Sequence, residues 1–471
     1  MHLVAVGGSD AGISAALRAR ELAPDWDVSV LVADAYPNFS ICGLPYYLSG
    51  DVPRWHDLAH RTLADLQVTG MQVRTDTRAT RIDVTGHRVE VATPDGSADV
   101  VPYDRLVIGT GALSTIPPIA GLRGTDPLGP DHGVHTLRSM ADAHAVMKTI
   151  ETQDPRTAVI IGAGYIGLEM AEAFVARGIR VTQVEALPEV LPTLDPELGA
   201  LVHHELESHG VEVRTHTTVT AVERRSSGAS GLSVSTVRSS GERGTVSADI
   251  VLVVVGVRPD TQLARDAGAS LGVKGAIQVD EHMATTLPDV YAAGDCAVTL
   301  HRLLGDTWLP LGTTAHKQGR IAGENAIGGN RRFAGSLGTQ VVKVFDLVAA
   351  RTGLRDHEAA AAAMGWSPRT VATTADDHKR YYPGASAIDL RVTGDSVSGL
   401  LLGAQLVGHR SAEISKRVDT LATAIFHDMP VEEISDLDLS YTPPLGSPWD
   451  AVQMAAQAWV QASPHDPPLT H

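Results

Sequence analysis

The chain has 471 residues, with 38 Lys and Arg against 55 Asp and Glu, and a formal net charge of −17 at pH 7. This acidic balance argues against nucleic acid as a partner, because binding phosphates needs a basic footprint. The length allows two to four domains, each with its own core. The two cysteines cannot build a disulfide scaffold, so a reducing, cytoplasmic setting is expected.

The longest apolar stretch runs from Ile250 to Val257 and is far shorter than the roughly 20 residues that span a bilayer. It predicts a buried strand, and no membrane segment is expected. The first residues, Met1 to Gly7, lack the basic leader and the apolar length of a signal peptide.

The first glycine-rich turn lies at the start of the chain, between a predicted strand at Leu3–Val6 and a predicted helix at Ser14–Leu22. Gly7, Ser9 and Gly12 occupy the positions of the three glycines of a dinucleotide-binding turn, so Ser9 replaces the middle one. A second strand is predicted at Val28–Val32, and Asp34 is the nearest carboxylate that could bind a ribose.

The second glycine-rich turn repeats this pattern with all three glycines. Its elements in order are a strand at Val159–Ile161, Gly162, Gly164 and Gly167, a helix at Leu168–Ala176, a strand at Val181–Val184, and Glu185. Gly164 would let the backbone approach a pyrophosphate at the helix N-terminus. Because a carboxylate at Glu185 can accept hydrogen bonds from both ribose hydroxyls and repels a 2′-phosphate, NADH is favoured over NADPH. The repeat predicts two nucleotide-binding domains.

The pattern changes after Gly329. From about residue 335, strands at Leu390–Val392 and Leu400–Gln405 and an amphipathic helix at Ile414–Phe426 predict a separate α+β domain. The last residues, 463–471, contain three prolines and no apolar pattern, so a disordered tail is predicted. The histidines show no metal-ligand spacing, and no metal site is expected.

Cys42 follows the first turn by about thirty residues and can lie against a bound cofactor. Cys296 is far away in the sequence, so an oxidised Cys42 should be a mixed disulfide with a small thiol or a sulfenic acid. A helix predicted directly after Cys42 would favour its thiolate. The alternative is that Cys42 is a small buried apolar residue, as many single cysteines are.

Together these motifs resemble the flavin-dependent pyridine nucleotide-disulfide oxidoreductases over nearly the whole chain. Thr110-Gly111-Ala112 is similar to the turn that closes the FAD domain, and Thr286–Asp295 is similar to the second flavin motif, in which the aspartate bonds the ribityl chain. The segment around Cys42 resembles the single-cysteine branch of this family. The segments at residues 311–319, 381–384, 416–419 and 441–444 look most like coenzyme A disulfide reductases.

The resemblance implies an α/β fold with two Rossmann-like nucleotide-binding domains, for FAD and NADH, and a C-terminal α+β dimerisation domain. It implies a discontinuous FAD-binding domain at 1–115 and 256–330, an NADH-binding domain at 116–255 and a dimerisation domain at 335–462. The implied cofactors are FAD and NADH, with NADPH less favoured, and the implied assembly is a homodimer.

The resemblance also implies roles for individual residues. Tyr382 (or Tyr381) and Tyr441 match tyrosines that reach across the dimer to the neighbour's cysteine, and Asp10 is either a helix cap or a catalytic acid. The implied FAD contacts are Gly7, Ser9, Gly12, Asp34, Thr110, Gly111 and Asp295. The implied NADH contacts are Gly162, Gly164, Gly167 and Glu185. The candidates for substrate binding are Asn38, Phe39, Arg18, Arg54, Arg61, Arg380 and Tyr381.

The favoured function is reduction of a small-molecule disulfide by NADH, coenzyme A disulfide first, through a mixed disulfide at Cys42. One alternative is an NADH oxidase or peroxidase in which Cys42 cycles through sulfenic acid. A second alternative is a redox-sensing flavoprotein with little turnover.

Overall fold

The structure is a computed structural model that describes residues 1–93, 95–225 and 231–462. The tail predicted at 463–471 lies outside the described residues. The chain divides into two compact units: the first contains Met1–Pro117, Val134–Asp154 and Val255–Ser336, and the second contains Pro118–Gly133, Pro155–Val254 and the chain from Leu337 onward.

The described residues form α-helices and mostly short strands. The α-helices are α1 (Asp10–Leu22), α2 (Leu44–Ser49), α3 (Leu63–Val68), α4 (Met140–Gln153), α5 (Tyr165–Ala176), α6 (Pro196–Ser208), α7 (Gln262–Asp266), α8 (Gly312–Ala326), α9 (Asp356–Ala361), α10 (Ile414–Phe426), α11 (Val431–Ile434) and α12 (Ala451–Gln461). The strands are β1 (His2–Val6), β2 (Asp27–Leu31), β3 (Gln72–Arg74), β4 (Arg78–Asp83), β5 (Arg88–Ala92), β6 (Ala98–Pro102), β7 (Arg105–Ile108), β8 (Ala112–Ser114), β9 (Val134–His135), β10 (Thr157–Ile161), β11 (Arg180–Val184), β12 (Glu212–Arg214), β13 (Thr217–Arg224), β14 (Leu232–Arg238), β15 (Arg243–Ala248), β16 (Ile250–Val253), β17 (Val257–Pro259), β18 (Val290–Ala292), β19 (Thr299–His301), β20 (Gly305–Thr307), β21 (Gln340–Val344), β22 (Leu347–Gly353), β23 (Pro368–Asp376), β24 (Ala387–Asp395) and β25 (Leu401–His409).

The first unit is built on a parallel sheet in the order β18-β7-β1-β2-β3. Its central strands are buried along most of their length, as expected for a parallel sheet covered on both faces. An antiparallel meander of β4, β5 and β6 follows in the chain. The carboxyl ends of β1 and β7 meet at one edge of the sheet, and ligands of such folds bind at this edge.

Helices α1 and α8 of the first unit pack against each other through small residues. A Cβ added at Gly319 would lie 2.2 Å from the Ala11 carbonyl oxygen, and one at Gly323 would lie 2.2 Å from that of Ala15. Only glycine permits this close approach of two backbones. The crossing places the first turn of α1 beside the first turns of α8.

The second unit repeats the parallel arrangement with β12, β11, β10 and β16 as neighbours in that order. An antiparallel sheet of β13, β14 and β15 accompanies it. The C-terminal part forms an antiparallel sheet in the order β21-β22-β25-β24-β23. Helix α10 packs on β22 and β25, and α12 packs on β23 and β24.

The predicted fold class is confirmed: two parallel-sheet nucleotide-binding folds and a C-terminal α+β region are present. Both glycine-turn helices begin earlier than predicted, at Asp10 and Tyr165, because the turn residues themselves already adopt helical geometry. The apolar run from Ile250 ends as a strand at Val253, and a separate strand begins at Val257. Within the described ranges, no helix combines the length and the hydropathy that crossing a membrane requires.

Candidate active site

The first glycine turn lies at the edge of a cavity of about 810 Å³ in the first unit. Ser9 is the N-cap of α1 and its side chain makes no capping hydrogen bond, so the amides of the first turn remain for a ligand. A Cβ at Gly12 would lie 2.1 Å from the Gly7 carbonyl oxygen, which explains the glycine there. The positive end of α1 therefore faces a cavity that can hold a pyrophosphate.

Most of the residues expected to contact FAD line this cavity, whose size is typical of cofactor sites. They are Gly7, Ser9, Asp34, Thr110 and Gly111, while Gly12 lies in the turn behind them. Asp34 Oδ1 accepts a hydrogen bond from the Tyr36 amide at 2.9 Å. Burial raises the pKa of Asp34, as expected for a carboxylate turned toward a ligand site. These residues fit a flavin dinucleotide.

Asp295, the expected partner of the ribityl chain, is held by Arg138. The Arg138 guanidinium donates to Asp295 Oδ2 at 2.6 Å, and the two side chains are only 26% and 13% exposed. Burial raises the pKa of Asp295, and the charge of Arg138 opposes this rise. Arg138 itself lines the cavity and carries the positive charge into it.

The second glycine turn is held by Glu185, at the end of β11. One carboxylate oxygen accepts from the Ala163 amide at 2.8 Å, and the other accepts from the Leu187 amide at 2.9 Å. A Cβ at Gly167 would lie 2.3 Å from the Gly162 carbonyl oxygen, whereas one at Gly164 would meet nothing within 4 Å. The N-terminus of α5 is thus open at Gly164, and the turn fits a second dinucleotide.

Cys42 lies in a short 3₁₀ turn, Ile41–Gly43, that leads directly into α2. Its side chain is exposed, and the preceding residues Phe39 and Ile41 line the large cavity. The helix expected after Cys42 is present. The thiol is therefore accessible to a small molecule and adjacent in sequence to the wall of the flavin cavity.

Aromatic rings surround the segment before Cys42. The Tyr36 ring packs edge-on against Phe39 and Trp55, with centroids 5.9 and 5.5 Å apart, and His144 lies 5.3 Å from Tyr36. Burial lowers the pKa of His144. Asn38 is buried with a left-handed backbone and an Oδ1 that has no hydrogen-bond partner among the described residues. These contacts give the cysteine segment a fixed shape.

A second cavity, of about 490 Å³, lies in the first unit between α1 and α8 and carries mostly basic side chains. Arg61, His316, Lys317 and Arg320 line it together with Ser14, Leu17 and Glu21. Arg320 lies 3.4 Å from Glu21, while Lys317 has no ion-pair partner within the described part of the chain. Arg61, Lys317 and Arg320 thus place positive charge on this cavity in a chain of net charge −17.

Three other arginines expected near the substrate are held by carboxylates. Arg18 donates to Glu324 at 2.7 Å and pairs with Glu21. Arg54 pairs with Asp57 at 2.7 Å, and Arg380 pairs with Asp376 at 3.0 Å. Of the four candidate arginines, only Arg61 lines the basic cavity.

Two of the three candidate tyrosines meet in the second unit. A hydrogen bond to Tyr441 raises the pKa of Tyr381, and the Lys379 amide donates to the Pro443 carbonyl at 3.3 Å. The ring of Tyr382 instead packs near His378, at 5.8 Å. The segments at 381–384 and 441–444, distant in sequence, thus form one surface.

Asp10 is the first residue of α1, directly after the N-cap residue Ser9. Its Oδ1 lies 3.3 Å from His316 Nε2. The other cysteine, Cys296, is fully buried and directs its thiol toward the Ile108 and Ala293 carbonyls at 3.5 and 3.4 Å. Burial raises its pKa, which suits a packing residue.

The sequence did not reveal Arg138, Lys317 or Arg320 as site residues. Arg138 lies in a segment that the sequence predicted to belong to the second nucleotide-binding domain, and its partner Asp295 is 157 positions away. No local motif signals such a contact. Lys317 carries no local signal either, because its neighbours across the helix crossing come from a distant part of the chain.

Comparison with known proteins agrees with this geometry. The model of the family "Pyridine nucleotide-disulphide oxidoreductase" matches residues 1–319, and that of its dimerisation domain matches residues 339–451. The NAD(P)H sulfur oxidoreductase (CoA-dependent) of Pyrococcus furiosus is 34% identical, over 97% of this chain and 98% of its own. An NADH oxidase of Methanocaldococcus jannaschii is 31% identical, over 97% of this chain and 98% of its own.

Among solved structures, the NAD-dependent persulfide reductase from A. fulgidus is 36% identical, with a TM-score of 0.90, and the match covers 98% of this chain and 83% of that one. The dimerisation-domain match implies a homodimer. The chain belongs to the pyridine nucleotide-disulphide oxidoreductase family, as an FAD-dependent NAD(P)H oxidoreductase of the group that contains coenzyme A disulfide reductases, persulfide reductases and NADH oxidases.

Proposed function

We propose that this protein uses NADH to reduce a small-molecule disulfide, coenzyme A disulfide first, through a mixed disulfide at Cys42. The position of Cys42 carries the proposal. It is exposed, it lies in the short turn that leads into α2, and it directly follows Ile41 in the wall of the flavin cavity. An accessible thiolate at a helix start is the arrangement that thiol–disulfide exchange needs.

In the proposed reaction, the Cys42 thiolate attacks one sulfur of the substrate, and the other sulfur leaves as a thiolate. FAD held by the first glycine turn would supply the redox chemistry that passes an electron pair from NADH to the resulting mixed disulfide. Cleavage of that bond returns the Cys42 thiolate and releases the second thiolate. The balance is one NADH, one proton and one disulfide consumed, and one NAD⁺ and two thiols formed.

The basic cavity between α1 and α8 is an argument for a phosphorylated substrate. Coenzyme A carries phosphates, which Lys317, Arg320 and Arg61 can bind. The cavity is linked to the cysteine segment by the backbone, because the His60 amide donates to the Asn38 carbonyl at 2.9 Å and the Ser40 amide donates to Leu58 at 2.8 Å. The P. furiosus relative is named as CoA-dependent, which favours the same substrate class.

Glu185 supports NADH as the donor. Its carboxylate is held beside the second glycine turn by two amides, where an NADH ribose would bind and a 2′-phosphate would meet negative charge. The family as a whole uses both nicotinamide cofactors, so this preference is part of the proposal.

The test is anaerobic oxidation of NADH by coenzyme A disulfide in the purified holoenzyme. Wild type should consume one NADH for each disulfide and release two thiols. In Cys42→Ser the rate of this reaction should be at least 10³-fold lower, although NADH still reduces the flavin. Cys296→Ser is the matched control and should retain activity, because its hydroxyl can donate to one of the two carbonyls that the thiol faces. Activity retained in Cys42→Ser would reject the mechanism.

The second candidate is an NADH oxidase, favoured by the name of the M. jannaschii relative. In that reaction Cys42 cycles between thiolate and sulfenic acid. NADH oxidation by oxygen or peroxide would then be as fast as NADH oxidation in the presence of disulfide. Adding coenzyme A disulfide would not change that rate. Mass spectrometry of the purified protein separates the two, since a coenzyme A adduct at Cys42 is expected only for the disulfide reductase.

A further inference from the structure

Three potential metal ligands from distant parts of the chain meet at the start of α1. They are a carboxylate oxygen of Asp10 and one ring nitrogen each of His60 and His316, and all three atoms lie within 4.8 Å of one another. All three residues belong to the first unit. Neither the family resemblance nor the proposed reaction uses this group as a set.

The spacing is close to that of a metal site. Zinc ligands at about 2.1 Å from a tetrahedral ion stand about 3.4 Å from each other. The distance from Asp10 Oδ1 to His316 Nε2 is 3.3 Å, so these two already have the required separation. The exposed His60 side chain can close the remaining distance by a small rotation.

A hydrogen bond on the far side of the His316 ring fixes the orientation of that ring. Its Nδ1 lies 3.0 Å from Ser14 Oγ, one turn further along α1. When Nδ1–H donates to that hydroxyl, Nε2 carries the lone pair and faces Asp10. A metal-ligating histidine is held in this way by a hydrogen bond from its other ring nitrogen.

The backbone of His60 is also fixed. Its amide donates to the Asn38 carbonyl at 2.9 Å, which holds the loop before α3 beside the cysteine segment. The His60 and His316 rings lie edge-on to each other, with centroids 6.2 Å apart. Two helices and a hydrogen-bonded loop therefore bring the three ligand atoms within 4.8 Å of one another.

We infer that Asp10, His60 and His316 bind a divalent transition-metal cation, with Zn²⁺ as the representative ion. Two imidazoles and one carboxylate form the donor set that Zn²⁺ accepts in sites that keep one position for water. Mg²⁺ and Ca²⁺ prefer sites made only of oxygen ligands, and they should not compete. Because the three side chains are partly exposed, exchange with solvent should be rapid and binding reversible.

A second cluster in the described chain, Glu205, His209 and Asp346, is a weaker candidate. It offers a single imidazole, whose Nδ1 already lies 3.0 Å from the Glu205 carbonyl and 3.1 Å from Ser208 Oγ. Glu205 Oε1 accepts from the Asp346 amide at 3.0 Å. Its ligands are already hydrogen-bonded, and it serves as an internal comparison.

The experiment is a Zn²⁺ titration of the untagged holoenzyme against a chromophoric chelator, with Mg²⁺ in excess. Wild type should bind one Zn²⁺ that Mg²⁺ does not displace. His60→Gln, His316→Gln and Asp10→Asn should each weaken that affinity at least tenfold. His209→Gln and His427→Gln are the matched controls and should leave it unchanged, and flavin content verifies folding.

Zinc-edge X-ray absorption of the wild type is the second measurement, and it does not depend on any variant. It should show nitrogen and oxygen neighbours with imidazole scattering and no sulfur. The inference is overturned if wild type binds no Zn²⁺, if sulfur is a ligand, or if the three variants bind as tightly as wild type. Loss of binding in Cys42→Ser or His209→Gln would also overturn it.

Discussion

Glu185 holds the second glycine turn and, in our proposal, also favours NADH. Its two carboxylate oxygens hold the Ala163 and Leu187 amides, so the charge that would repel a 2′-phosphate also shapes the glycine turn. Glu185→Gln keeps one acceptor and removes the charge. We expect kcat/KM for NADPH relative to NADH to rise about tenfold, equivalent to about 1.4 kcal/mol.

The comparison for this prediction is Glu207→Gln, which changes an exposed carboxylate on α6 and should leave the ratio unchanged. Steady-state kinetics with both cofactors and a fixed acceptor measure it. An unchanged NADPH to NADH ratio in Glu185→Gln would show that the discrimination lies elsewhere.

His135 predicts a pH dependence of stability. The residue is buried, its Nε2 lies 3.0 Å from Thr149 Oγ1, and burial lowers its pKa to about 4. Because the unfolded chain binds a proton near pH 6.5 and the folded one does not, this residue costs no stability at neutral pH. It destabilises the fold as the pH falls from about 6.5 toward 4, by about 2–3 kcal/mol at pH 4.5.

His135→Leu should remove this loss. Urea unfolding at pH 7 and pH 4.5, followed by fluorescence, should show a smaller pH difference for His135→Leu than for wild type. His427→Gln, an exposed histidine, should behave as wild type does. If His135→Leu and wild type lose the same free energy between these pH values, His135 titrates normally in the fold.

At the scale of elements, the α1–α8 crossing forms most of the wall of the basic cavity. The backbone of α8 touches that of α1 at Gly319 and Gly323, and the same crossing aligns Ser14, His316 and Asp10. An added methyl group would have to push the helices apart, because the atoms it meets belong to backbone.

Gly323→Ala should therefore lower the free energy of unfolding by about 1–3 kcal/mol or more and weaken retention of FAD. The measurements are the urea midpoint and the flavin content after dialysis. Gly129→Ala is the control, because a Cβ there would meet nothing within 4 Å. A wild-type midpoint in Gly323→Ala would mean that the crossing can relax without cost.

The elements that the sequence predicted well are those with a local signal. The two glycine turns, the strands around them and the helix Ile414–Phe426 follow from apolar periodicity and turn chemistry within a few residues, and the structure has that helix with the predicted bounds. The helix after the first glycine turn was predicted to start later than it does. Residues Asp10–Ile13 carry no apolar periodicity, and their helical geometry comes from the turn.

Contacts between distant segments had no such signal. Arg138 and Asp295 are 157 positions apart, and Ser14 and His316 are 302 apart. The three candidate metal ligands are far apart in the sequence. They come together only because α1, the loop before α3 and α8 pack against one another. Such pairings depend on the packing of whole elements, so a single sequence could not predict them.

At the scale of the whole molecule, the second unit exposes apolar and aromatic side chains. Tyr381 is 74% exposed, Leu445 72%, and Trp449 53%. These residues lie within or directly beside the segments at 381–384 and 441–444, inside the matched dimerisation domain. A partner subunit would cover such a surface, and we propose from this that the tyrosines serve the neighbouring subunit's Cys42, as the family resemblance implies.

Hybrid dimers test whether the tyrosines act across the interface. One chain carries Cys42→Ser, and the other carries Tyr381→Phe with Tyr441→Phe, two tyrosines whose hydroxyls are hydrogen-bonded. If they act in trans, the hybrid keeps one site with an intact cysteine and intact tyrosines. It should then recover about half of the wild-type rate per dimer, whereas both parent homodimers are much slower.

Differently tagged chains, co-expressed and purified through both tags, give the hybrid, and anaerobic NADH oxidation by disulfide measures its rate. Tyr382→Phe in place of the pair shows whether the tyrosine near His378 takes part, because its ring lies apart from the Tyr381–Tyr441 hydrogen bond. If the tyrosines act within their own chain, both sites of the hybrid are defective. A hybrid no faster than the mean of its parents would therefore exclude action across the dimer, since subunit exchange cannot then rebuild a complete site.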